Sequence, residues 1–243
     1  ELDDYGSWYE SEDYGYVFQP LIVVQDRSWR PYTRGRWICT NYGWNWVSDE
    51  PFGWATYHYG RWCEMPGRGW CWVPGSQWAP SWCAWREGNG HVGWAPLPPE
   101  SMAGRGRAWA RGSDRELCIA DDAFNFVESR HMANPAWQHR LPSGRNAYLR
   151  ARTSDCTNLH DRGGRIIAGG PRWACVRAAV GRPWPVHELE FDPVGGLQAE
   201  RARHGYAQGR AWRVFNPCVD APWNLRLGPE RVQGRVEAPP ISP

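Results

Sequence analysis

The chain has 243 residues, a formal net charge of +2 and 42% hydrophobic residues, enough to bury the core of one all-β domain or two smaller ones. It contains no apolar run long enough for a membrane-spanning helix. Its basic residues are too dispersed for a nucleic-acid protein, whose positive charge gathers in a stripe. All 28 positive side chains are Arg, which stacks on rings and forks onto carboxylates better than Lys does. Residues 1–100 hold 7 Arg against 12 acids, and residues 101–243 hold 21 against 14. Neighbouring copies joining an acidic front to a basic back would suit that split.

In chain order, Glu1-Leu2-Asp3-Asp4 reads as a mature terminus left by removal of an export signal. Residues 1–28 form an N-terminal arm and first strand, with the β-branched run Leu21-Ile22-Val23-Val24 as that strand. Residues 29–99 form a Trp/Gly-rich β-repeat domain of short antiparallel strands broken by Gly, Pro and Asn turns. Residues 100–192 form a β-rich but irregular second region, opening with a Gly/Arg-rich connector over 100–116. Phe124 to Val127, Tyr148 to Arg152, Arg165-Ile166-Ile167 and Val186 to Phe191 are its expected strands. Its one short helix is expected near 171–180, with Pro171 at the start and Gly181 as the stop. Residues 193–243 are a Pro/Arg-rich extension too aperiodic to build a core.

The repeat is the dominant feature. Gly35-Arg36-Trp37 precedes Gly43-Trp44-Asn45-Trp46, and Gly60-Arg61-Trp62 precedes Gly69-Trp70-Cys71-Trp72. A variant with Trp78, Trp82, Trp85 and Gly93-Trp94 closes the series. Repetition at this scale marks one supersecondary unit copied and packed on itself. Rings two apart on a strand share a face, and glycine lets a ring lie across bare backbone. Thirteen of the nineteen Trp lie in the first 94 residues, too many to be exposed without aggregation. Trp37, Trp44, Trp46, Trp54, Trp62, Trp70, Trp72 and Trp94 are therefore the expected structural core. Trp78, Trp82 and Trp85, spaced irregularly through Pro and Ser, are the expected exposed rings for a ligand or partner.

Eight cysteines, Cys39, Cys63, Cys71, Cys83, Cys118, Cys156, Cys175 and Cys218, include no Cys-x-x-Cys pair. An even, scattered set behind an export-like start favours disulfides. Cys63 and Cys71 flank the turn Pro66 to Gly69, which would set them on adjacent strands. The seven His lack ligand spacing, and no nucleophile elbow or phosphate loop occurs. Asp121-Asp122 reads as a solvated turn. No catalytic residue, cofactor or metal is expected.

The phrases Gly35-Arg36-Trp37, Gly43-Trp44-x-Trp46, Tyr57-His58-Tyr59-Gly60-Arg61-Trp62 and Gly93-Trp94-Ala95-Pro96-Leu97-Pro98-Pro99 resemble a family of Trp/Gly-rich exported bacterial proteins of unknown function. The resemblance is specific over residues 5–99 and implies a β-rich fold and an envelope location. Cys63 and Cys71 depart from the family pattern, so disulfides would be this protein's own addition. The fold expected is mainly β and disulfide-stabilised. The expected role is a structural or scaffolding subunit of a bacterial envelope or extracellular assembly, in the periplasm, at the cell surface or outside it. Its partners would be other protein subunits in a filament, surface layer or membrane complex. The alternative is a cell-wall or polysaccharide-binding module.

Overall fold

The computed structural model describes residues 2–102, 109–192, 205–217, 229 and 231–239. It is mainly β, with three sheets and several short helices. In the first half the strands are β1 (Gly6–Ser11), β2 (Gly15–Pro20), β3 (Gly35–Thr40), β4 (Gly43–Ser48), β5 (Arg61–Met65), β6 (Gly69–Val73), β7 (Cys83–Gly88) and β8 (His91–Pro96). The second half adds β9 (Asn125–Glu128), β10 (Ser154–Asp155), β11 (Asn158–Asp161), β12 (Ile166–Gly169), β13 (Val186–Asp192), β14 (Tyr206–Gln208), β15 (Ala211–Phe215) and β16 (Val232–Val236).

The repeat folds as three antiparallel hairpins, and each belongs to a different sheet. β3–β4 lies in the seven-stranded sheet β11-β12-β4-β3-β13-β15-β14, β5–β6 in the five-stranded β16-β1-β2-β6-β5, and β7–β8 in the four-stranded β10-β7-β8-β9. Each hairpin sets two Trp directly opposite one another: Trp37 and Trp46, Trp62 and Trp72, Trp85 and Trp94. All six are among the largest fully buried side chains. Alternation follows the period of the strand. Trp70 and Trp72 enter the main core while Cys71, between them, joins Cys63, Val17, Met65 and Val73 on the opposite face. Burying each ring removes roughly 150–250 Å² from water, which accounts for a core with few aliphatic residues.

Strands of the second half complete these sheets. β9 extends β8, β10 extends β7, β12 touches β4, and β13 pairs in parallel with β3. β15 pairs in parallel with β13, and its Trp212 and Val214 are buried against Ile38, Val47 and Leu189. The C-terminal extension thus contributes to a core that the sequence reading denied it. The N-terminal arm is likewise held by its own chain. β1 and β2 form a hairpin, β2 pairs with β6, and Trp8 and Phe18 join the main core.

Three further expectations are corrected. Leu21–Gln25 is a short helix (α1), not a strand. β2 ends at Pro20, the N-cap, so the chain leaves the sheet there. Only Val23 of the apolar run is fully buried, with Leu21 and Val24 exposed. Asn146–Arg152 is also helical, because Asn146 and Leu149, three apart, are the buried pair. The single helix expected near 171–180 exists as Trp173–Val180, with Gly181 in the left-handed region (φ 68°), but it is one of six α-helical segments among the described residues. No disulfide links the seven described cysteines, and Cys218 lies outside the described residues. Cys63 and Cys71 do face each other across β5 and β6.

Candidate functional site: the tryptophan core and the Arg61 cleft

Ring contacts centred on Trp37, Tyr57 and Tyr32 fuse the hairpins. Trp37 lies 4.5 Å from Trp85 and 5.7 Å from Trp94 (centroid distances), joining the first hairpin to the third. Tyr57 joins the first to the second, 6.0 Å from Trp46 and 5.8 Å from Trp62. Tyr32 stacks on Trp37 at 5.8 Å and 6° despite a left-handed backbone (φ 58°). Its neighbours fix that conformation. Its carbonyl accepts from Trp94 Nε1 at 3.0 Å, and its hydroxyl donates to the Tyr57 carbonyl while accepting from Trp82 N.

Of the eight Trp expected in the core, Trp37, Trp44, Trp46, Trp62, Trp70, Trp72 and Trp94 are buried. Trp54 is half-buried at the margin, 5.2 Å from Phe215. The exposed trio is not observed. Trp85 is fully buried opposite Trp94, Trp82 is buried beneath Arg61, and Trp78 is half-buried, stacked on His58 at 5.2 Å and 10°. The reason lies in the Pro/Ser segment between them. Pro80 O accepts from Trp46 N at 3.1 Å, Ser81 Oγ donates to Trp44 O at 2.9 Å, and Ala79 N donates to His58 O at 2.9 Å. Backbone that reads as a surface loop is threaded along β4 with its polar groups satisfied.

Several ionisable groups are internal ties. Burial pushes the Glu50 carboxyl up to about 7 although Trp29 Nε1 (2.7 Å) and the Tyr57 hydroxyl donate to it. Burial pulls His58 down to about 4, and its Nδ1 sits 2.9 Å from the Ala79 carbonyl. Buried Arg86 on β7 pairs with buried Asp114, which Arg150 also approaches at 3.4 Å. Asp121 pairs with Arg150 at 2.8 Å, so half of the Asp121-Asp122 pair is structural. His131 and His139 stack at 3.9 Å. Among the described residues no three His, Cys, Asp or Glu side chains gather as a metal cluster, and no helix is long and apolar enough to cross a membrane.

Arg61 was missed by the sequence reading. On β5 it faces away from Trp62, only 5% exposed, with its guanidinium 3.4 Å from the centroid of the Trp82 ring. Nε donates to Ser101 Oγ at 2.7 Å and Nη1 to Gly60 O at 2.8 Å. Desolvation by burial pulls its pKa down to about 9. No carboxylate of the described residues pairs with it. It lines a cleft of about 200 Å³ bounded also by Gly60, Gly75, Ser76, Gln77, His160 and Asp161. Gly60 is obligatory beside it, since its φ is 65° and a Cβ there would meet Val73 O at 2.1 Å. The one signal in the sequence was that Gly-Arg-Trp places its Arg opposite a core ring. Arg36, its counterpart in the first hairpin, is half-buried with its guanidinium 5.7 Å from Trp212.

Residues 1–101 match a family of unknown function, DUF6600. That stretch holds the N-terminal hairpin, all three Trp hairpins and Ser101, the Arg61 partner. No curated protein and no solved structure matches the chain.

Proposed function

We propose that this protein is a non-catalytic structural or scaffolding subunit of a bacterial envelope or extracellular assembly. The observation that supports it is the use of the rings. Three hairpins each commit a facing Trp pair to one shared core, and later strands extend all three sheets. The aromatic residues build one shared core, while β14 and β16 end their sheets among the described residues, and an end strand is where another chain can add a strand. The polysaccharide platform of Trp78, Trp82 and Trp85 has no comparable support, because two of the three rings are buried.

Export would place Cys63 and Cys71, already opposed, where an oxidising compartment can close them into a cross-strand disulfide. Native mass spectrometry of the exported protein over a range of concentrations tests both points. A multimer or a complex with other subunits is expected, lighter by the hydrogens of one bridge before reduction. A monomer at high concentration removes the scaffolding reading, and an unchanged mass on reduction removes the bridge.

A further inference from the structure

We propose that the Arg61 cleft is a binding site for a small oxyanion, a carboxylate or phosphate group carried on a hydroxylated ligand. The argument starts from the cost of the charge. A buried guanidinium loses its hydration, and the loss is recovered only by a counter-charge or a full set of hydrogen bonds. Arg86, equally buried, has Asp114 as its carboxylate and Thr153 and Arg150 carbonyls as further acceptors. Arg61 has one hydroxyl and one carbonyl, and its Nη2 has no partner among the described residues. Ser101 Oγ is itself held by donating to Pro98 O at 2.6 Å.

The guanidinium is also preorganised. Trp82 fixes its plane, Trp82 Nε1 is tied to His58 O at 3.0 Å, and the Nε and Nη1 bonds fix its rotation. That leaves Nη2 and the second Nη1 hydrogen for a ligand, and an arginine fork suits two oxygens of one anion. Ser76, Gln77 and His160 line the same cleft with polar side chains. Among the described residues Asp161 contributes the one carboxylate in the lining, and it accepts from Gly164 N at 2.8 Å. A carboxylate there favours hydroxyl groups on the ligand. The volume of about 200 Å³ is below that of drug-sized pockets, so the cleft takes a single small group or the end of a longer molecule.

The test is calorimetric titration and thermal shift of the full chain at fixed ionic strength with inorganic phosphate, glucuronate and glucose. At least one of the two acids should bind at one site and raise the melting temperature, and glucose should do neither. The tighter acid identifies the anion class. Arg61→Met should weaken binding about tenfold or more, while Arg36→Met, outside the cleft, should leave it unchanged. Because Arg61→Met also removes two internal hydrogen bonds, Gln77→Trp provides a second route. It fills the cleft with Arg61 in place and should abolish binding in a folded protein. Equal titration of wild type and Arg61→Met, retained binding in Gln77→Trp, or no binding of either acid up to about 10 mM overturns the proposal.

Discussion

The six paired indoles divide by what their N–H groups do. Trp62, Trp72 and Trp94 donate to the carbonyls of Thr56 (2.9 Å), Tyr59 (2.7 Å) and Tyr32 (3.0 Å). Trp37, Trp46 and Trp85 are buried without a partner for Nε1. Ring-to-Phe substitution removes similar volume at either kind of site, but at Trp94 it also strands a buried carbonyl. Trp94→Phe should therefore be less stable than Trp37→Phe by about 1–2 kcal/mol in urea denaturation.

Glu50 supplies a pH dependence with a definite sign. Its folded value of about 7 lies above the ordinary 4.5, so between those values the folded state holds a proton that the unfolded chain has released. Stability from this group falls as pH rises through that window and is flat above it. His58, at about 4 against an ordinary 6.5, acts oppositely, stabilising above 6.5 and losing that contribution as pH falls. The stability of wild type minus that of Glu50→Gln should drop by up to about 3 kcal/mol between pH 4.5 and 7. A flat difference across that range would show that Glu50 is ionised in the fold.

At the scale of elements, the hairpin is the unit, and glycine decides how closely the two ends of one hairpin approach. Gly60 and Gly67 both have positive φ (65° and 71°), but only Gly60 is crowded, by Val73 O, Trp72 Nε1 and Gly75 N. Gly67→Ala should cost about 1–2 kcal/mol, the strain of a left-handed residue. Gly60→Ala adds a backbone clash and should cost at least about 3 kcal/mol, read as a lower denaturation midpoint. Comparable losses at the two positions would mean that the β5–β6 hairpin relaxes away from the cleft. The ring alternation of Trp44/Trp46 and Trp70/Trp72 was legible in the sequence, because strand period and turn glycines are local properties. Leu21–Gln25 was not, since β-branched residues take the conformation their burial rewards.

For the whole molecule, the sheets contain strands from distant parts of the chain. Residues that read as arms are structural: Trp8 lies 5.2 Å from Phe18 and 6.3 Å from Trp72. The scaffolding reading rests on the shared Trp core and on β14 and β16 as the end strands of their sheets among the described residues. The 7-to-12 and 21-to-14 division of Arg against acids remains available for steering copies together. If it does so, the multimer expected in native mass spectra should dissociate as salt is raised, as screening of exposed charges requires.

The sequence by itself determined the mainly β class, the hairpins, the shared face of alternate rings and the helix that stops at Gly181. Each depends on residues within a few positions of one another. Tertiary structure decided that Trp82 and Trp85 are buried, that Trp212 and Val214 join a core, and that Arg61 loses its water while Arg36 keeps part of its own. Those outcomes depend on which distant strand comes to lie against a face. The same Gly-Arg-Trp phrase appears twice, so its local chemistry cannot distinguish the two arginines. Only the Trp82 ring and the walls from residues 75–77 and 159–161 closing over one of them do so.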